Sequence, residues 1–367
     1  MTCVAGRVCE RVVDVAVTMR DVAQHAGVST RTVSNVVNEF PYVSDDMRAK
    51  VQAALDELDY KPNLMARGLK QGRTGIITLL LPQIAVPYFG EIAHEVVEYA
   101  SRLGCTVMID ETGGRSDREL DLLQVAARSG WVDGVLMSSQ GLRGPALAHL
   151  PVDIPVVLLG ERTAKTTLDH VGIDNIGAAA AAVRHLLATG CRRIAAIGGN
   201  PSLSDMTSRL RFKGYRAALR VAGIPNDDDL YVHTATYKRI GAAPAIRQLL
   251  HLADPPDGLF CFSDELAAGA LRELHDQGIR VPEEMKVVGF DDIDEARFSI
   301  PTITSICPDK ADIAKMALTM LLERVRGSTA KPRDIRVGYE LIIRESSIGA
   351  QRAGSPTAQV GVLGPTT

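Results

Sequence analysis

Three short apolar stripes at helical spacing open the chain. In MRDVAQHAG, Val22, Ala23 and Ala26 share one side; in VSTRTVSNVVN, Val33, Val36 and Val37 do; after Ser44, Met47, Val51, Ala54, Leu55 and Leu58 repeat to Tyr60. Thr18 is placed to cap the first helix, Gly27 to end it, and Ser44 to cap the third, with Asp45 and Asp46 in its first turn. The pattern predicts helix, tight turn, helix, then a third helix that closes a small core. Thr30, Arg31, Ser34 and Asn35 fall away from the valine stripe, on the side that such a motif turns toward a DNA major groove.

From Gly75 the rhythm changes. GIITLLL, CTVMID, DGVLMS and IPVVLLG are continuous apolar runs expected as buried parallel strands, with YFGEIAHEVVEYASRLG and DRELDLLQVAARSG as helices between them. A second set follows VGID: helix 175–189, strand RRIAAIGG, helices 208–221 and 241–251, strand GLFCFS, helix 264–277 and strand KVVGFDD. Strands separated by helices build doubly wound sheets, which hold ligands beyond the carboxyl ends of their strands. Two such sheets in series imply a cleft.

Composition adds little to the DNA reading. The net charge is −3 over 367 residues, and between Thr18 and Gly72 seven basic residues face seven acidic ones, so the case rests on where particular residues fall. No apolar run approaches the roughly 20 residues that cross a bilayer, and residues 1–17 carry no signal-peptide core, so they are expected as a disordered leader. The six cysteines are scattered without a CxxC pair, which points to reduced thiols in a cytoplasmic protein. The phosphate-loop, nucleophile-elbow, dinucleotide and HExxH patterns are all missing, so no catalytic residue, cofactor or metal site is expected and the chain is not read as an enzyme.

DVAQHAGVSTRTVSNVVN, then VS, then LDYKPNLMARGL, in this order and spacing, resembles the DNA-binding headpiece of the LacI/GalR family of transcriptional regulators, strongly over 18–69 and more loosely to about Ser347. The resemblance implies base reading by Thr30, Arg31 and Asn35 and backbone positioning by Thr18, Ser34, Asn38, Tyr42 and Ser44. It further implies a hinge at 63–74 that becomes helical on DNA, capped by Asn63. There Leu69 wedges into the minor groove, beside Ala66 for close approach and Arg67 for groove contact. Asn35 stands where many members carry arginine, so operator preference does not transfer.

For the remainder the resemblance implies a periplasmic-binding-protein-like core of two α/β doubly wound parallel-sheet subdomains, 75–172 plus 304–331 and 173–303 plus 332–347, with crossovers near Gly172, Thr304 and Pro332. The first part, 18–62, is then an all-α helix-turn-helix headpiece, and 348–367 a disordered tail. Residues at strand ends supply the expected effector contacts: Tyr88, Phe89, Arg162, Thr207, Arg211, Tyr237, Asp264 and Asp291. Gly160 and Ser263 replace an aspartate and an asparagine common in the family, which leaves the effector open. The expected protein is a cytoplasmic homodimeric repressor that binds pseudo-palindromic double-stranded operator DNA. A small molecule, of carbohydrate type, controls it, and no membrane is involved. A solute-binding protein with the same core is the alternative.

Overall fold

The computed structural model describes residues 17–38, 40–60, 73–142, 145–148, 150, 153–161, 167–199 and 206–349. Most of the expected leader, the hinge residues Asn63, Ala66, Arg67 and Leu69, Arg162, and the tail beyond 349 lie outside the described residues. The chain divides into two compact units, 1–74 and 75–367.

In the first unit, α1 (Met19–His25), α2 (Thr30–Val37) and α3 (Asp45–Glu57) enclose one core of Val22, Ala23, Ala26, Val33, Val36, Val51, Ala54 and Leu55. Thr18 and Asp21 form a reciprocal capping box: the Thr18 amide donates to the Asp21 carboxylate at 2.8 Å, and the Asp21 amide donates to the Thr18 hydroxyl at 3.4 Å. Gly27, at φ +59°, turns the chain between the helices in a conformation that other residues adopt only at a cost. Ser29 caps α2, its hydroxyl accepting from the Thr32 amide at 3.1 Å. Ser44 occupies the N-cap of α3, but its side chain makes no capping bond.

The second unit holds two sheets of six strands each. The first has the order β11-β5-β4-β3-β1-β2, from β1 (Ile76–Leu81), β2 (Thr106–Glu111), β3 (Gly134–Met137), β4 (Val156–Leu159), β5 (Asp169–Ile173) and β11 (Asp334–Val337). The second has the order β12-β10-β9-β8-β6-β7, from β6 (Ile194–Gly198), β7 (Tyr231–His233), β8 (Gly258–Cys261), β9 (Lys286–Phe290), β10 (Thr304–Pro308) and β12 (Tyr339–Ile342). Every pairing is parallel except β10 with β12. Helices α4 (Pro87–Arg102), α5 (Ser116–Ser129), the short α6 (Pro145–Ala148) and α11 (Lys310–Val325) belong with the first sheet. The second takes α7 (Asn175–Ala188), α8 (Met206–Val221), α9 (Ala242–Leu250), α10 (Asp264–Asp276) and α12 (Glu345–Ile348). Central strands β3, β6 and β8 are buried along their whole length and β1 from Ile77 onward, as both-face coverage by helices requires.

Two crossovers differ from expectation. The segment 304–308 stays in the second sheet as β10, so the chain crosses after Pro308 and not at Thr304. The segment 332–347, expected wholly in the second subdomain, is divided: β11 joins β5 in the first sheet, and only β12, after Gly338, returns to the second. Strands β10 and β11 are both short, and β11 takes a partner far away in the sequence, a choice that local pattern does not encode.

Candidate nucleic-acid interface and ligand cavity

Burial of Val33 and Val36 fixes the rotation of α2 and turns Thr30 and Arg31 fully outward, with Ser34 and Asn35 half-exposed beside them. Asn38 folds back, its amide donating to the Ser34 carbonyl at 2.6 Å and to the Ser34 hydroxyl at 3.3 Å. Tyr42 is 88% exposed, its ring meeting the Phe40 ring edge-on at 5.7 Å. An exposed phenol, an exposed guanidinium and several hydroxyls and amides on one short segment suit phosphate oxygens and base edges. Thr18 and Ser44 are exposed at helix starts, where a phosphate also meets the positive end of the helix.

In the second unit, the carboxyl ends of the strands surround a cavity of about 470 Å³. The ends of β1, β3, β4 and β5 supply Gln83, Ser138, Gln140, Glu161 and Gly172; those of β8 and β9 supply Ser263 and Asp291. Tyr88 and Phe89 open α4 and form an edge-on pair at 5.4 Å that gives the cavity an aromatic wall. At the turn of β4, a Cβ on Gly172 would come within 2.2 Å of the Gly160 carbonyl oxygen, so glycine is what lets these two strand ends approach. His170 lies behind them, 2.7 Å from that carbonyl and 2.8 Å from the Asp334 carboxylate on β11.

Arg211, on α8, is the most heavily held side chain of the site. Its Nε donates to Asn175 Oδ1 at 2.9 Å, one terminal nitrogen donates to the Phe262 carbonyl, and the other lies 3.5 Å from Asp291. Asp291 itself has φ +109°, a strained backbone for a residue with a side chain. Burial pushes its carboxyl up to about 6, against the pull of Arg211 and Lys310, with Glu161 adding to the rise. Burial, followed by Asp291 and Glu161, likewise pushes the Tyr88 hydroxyl up.

Of the expected contacts, Tyr88, Phe89, Thr207, Arg211, Tyr237 and Asp291 line the cavity together. Asp264 does not. It is fully buried at the first turn of α10, its carboxylate accepting from the Ser305 hydroxyl at 2.6 Å and the Ile293 amide at 3.0 Å, while the neighbouring Ser263 takes the N-cap. Asp264 thus holds the segment after Asp291 and touches no ligand space. Residues that pattern reading missed are Gln83, Ser138, Gln140, Glu161 and Lys238. Glu119 adds support from outside: fully buried on α5, it accepts from the amides of Gln140, Gly141 and Leu142 at 2.8–3.0 Å and so holds the loop that forms one wall.

Residues 18–63 match the family model described as bacterial regulatory proteins, lacI family, and 183–347 match a periplasmic binding protein-like domain. A transcriptional repressor, PurR of Photobacterium profundum, is 32% identical over 331 residues, covering 90% of this chain and 98% of that one. Among solved structures, the regulator CelR in complex with cellobiose is 31% identical with a TM-score of 0.67, over 90% of this chain and 99% of that one. The lac repressor dimer bound to operator and an anti-inducer is 25% identical with a TM-score of 0.79, over 91% and 100%. With an exposed reading helix and a cavity between two doubly wound sheets, and with repressors matched along nearly their whole length, the chain belongs to the LacI family of bacterial transcriptional regulators.

Proposed function

We propose that the protein is a repressor that binds a pseudo-palindromic operator as a homodimer through Thr30, Arg31 and Asn35, and that a saccharide in the cavity described above controls it. The observation that carries the reading is the joint presence, on one chain, of an uncovered helix-turn-helix face and a cavity lined by aromatic, amide and carboxylate groups. Aromatic faces suit the apolar side of a sugar ring, and Asp291, Gln83 and Gln140 suit its hydroxyls. The cellobiose bound by CelR supports that class. A regulator of bacterial operator DNA acts in the cytoplasm, and repression asks no catalysis of it.

The pairing surface is read from exposed apolar side chains on β2, on α5 and just after α5. Met108, Ile109, Val125 and Trp131 are 42%, 38%, 61% and 41% exposed and close to one another around a shallow hollow, a patch that a second copy would cover. A dimer carries two reading helices, one for each half of a pseudo-palindromic operator.

Ligand in the cavity controls DNA binding by preferring one arrangement of the two subdomains, and the coupling, about 1–3 kcal/mol in such systems, is reciprocal. A thermal-shift screen of saccharides and nucleosides on the full chain, followed by gel shift of operator DNA with each hit, tests the reading. A hit that alters operator affinity, and whose own affinity changes by the same factor when operator is present, supports it; hits that stabilise the protein without touching operator affinity contradict it.

A further inference from the structure

Among the described residues the charges around the cavity do not balance, and the imbalance falls on one residue. Arg211 is neutralised by Asp291, backed by the Phe290 ring at 3.4 Å, and engaged by Asn175 and the Phe262 carbonyl. Glu265 is paired with Arg239 at 2.6 Å. Lys238 is solvent-exposed at the rim, where water screens it. Glu161, half-buried at the end of β4, accepts from the neutral amide of Asn175 at 3.0 Å and meets no cation among the described residues. The same Asn175 bridges Glu161 to Arg211 through its other atom, and Lys310, which also acts on Asp291, is answered by Glu91 at 2.7 Å, so the continuous polar wall of Glu161, Arg211 and Asp291 carries an excess of one negative charge among the described residues. The Tyr88 hydroxyl reports the same sign: Asp291, Glu161 and Glu91 act on it together against Arg211 alone.

Resting on the reading of this cavity as the effector site, we propose that Glu161 sets the charge class of the effector. The cavity takes a hydroxyl-rich or amine-bearing saccharide that donates hydrogen bonds to the Glu161 and Asp291 carboxylates, and it rejects phosphorylated or carboxylated forms of the same sugar. An anionic group would meet the Glu161 carboxylate across a partly desolvated space, where like charges repel far more than in bulk water. Arg211, with most of its donors engaged and its charge answered, cannot offset a second anion.

The sign of the field is measurable without knowing the effector. Thr207 lines the cavity one helical turn before Arg211, and Thr207→Cys in the full-length chain places a small thiol there. Its reaction rates with a trimethylammonium and a sulfonate methanethiosulfonate are compared at low ionic strength, after subtraction of the protein without that substitution. The proposal predicts a cation-to-anion rate ratio at least about tenfold above that of a free thiol, falling toward it when Glu161→Gln is added. A ratio at or below the free-thiol value, or one that Glu161→Gln leaves unchanged, overturns it.

The second arm is calorimetry with matched pairs, ribose and ribose 5-phosphate, glucose and glucose 6-phosphate, with glucosamine as the amine. Unphosphorylated members binding at least about tenfold more tightly, with the gap narrowed in Glu161→Gln, support the proposal; a phosphorylated member binding wild type more tightly overturns it. A cation-selective thiol in a protein that binds no compound from any saccharide or nucleoside panel counts against the effector reading and leaves the sign of the field established.

Discussion

The guanidinium carbon of Arg211 lies 3.4 Å from the centroid of the Phe290 ring, while its outer nitrogen faces Asp291 one residue further along the chain. One side chain thereby clamps the end of β9 from two sides, and the strained backbone of Asp291 is held in place by it. Arg211→Met keeps much of the volume but strands a buried carboxylate, so unfolding stability of the core should fall by about 3–5 kcal/mol in urea titrations. Adding Asp291→Asn should recover a large part. If the double variant is no more stable than the single one, the pair is not the coupled unit described.

Asp291 also gives the core a pH signature. Its carboxyl in the folded protein stands at about 6 against an ordinary 3.8, so the folded state holds this proton more tightly than the unfolded chain does. The group therefore favours folding most below pH 4, and its contribution declines as pH rises to about 6 and is level above that, a span of about 2–3 kcal/mol. Asp169 runs the other way, since Arg324 and Arg333 hold its carboxyl below the usual range against the effect of burial, so the comparison must be between wild type and Asp291→Asn. The difference between their stabilities should change between pH 4 and pH 6.5 and stay constant from 7 to 8.

The headpiece is small, and its stability rests on few side chains. Val33, fully buried between α1 and α3, should cost about 2 kcal/mol when cut to alanine, and Thr18→Ala about 1 kcal/mol through the lost capping box. Both losses should show in hydrogen exchange of residues 18–60 and leave protection of the core strands β1 and β8 unchanged.

Arg31 is exposed at the start of α2 with no partner that would hold it away from DNA among the described residues. Arg31→Ala should cost about 1–3 kcal/mol at particular base pairs of the operator and little on other sequences. A uniform loss on every duplex, with a shallower salt dependence, would make it a phosphate contact.

Much of this architecture is legible in the residues themselves. The valine stripe of α2, the Thr18 cap and the buried runs of β1, β3 and β8 follow from spacing, because periodicity of 3.6 or unbroken apolar character leaves few other solutions. The sheet membership of β10 and β11 was not, because both are short: β11 pairs with β5, far away in sequence, and a boundary at Thr304 cuts β10 from β9, its neighbour in both chain and sheet. In SDEL both Ser263 and Asp264 are good caps; the chain uses the serine and buries the aspartate against Ser305, a contact across 41 residues that no local rule anticipates. Glu161 and Gln140 were missed for a related reason. Ordinary polar residues after a strand carry no signature until the strands of one sheet bring their ends together.

The measurement that bears most directly on the account is selection of binding sites by the full-length protein from a pool of random duplexes. Inverted repeats whose half-sites lie about one helical turn apart should be enriched, and the enrichment of both half-sites should be lost together when Arg31 is replaced by alanine. Enrichment of single half-sites without symmetry, or no enrichment over the starting pool, would contradict it.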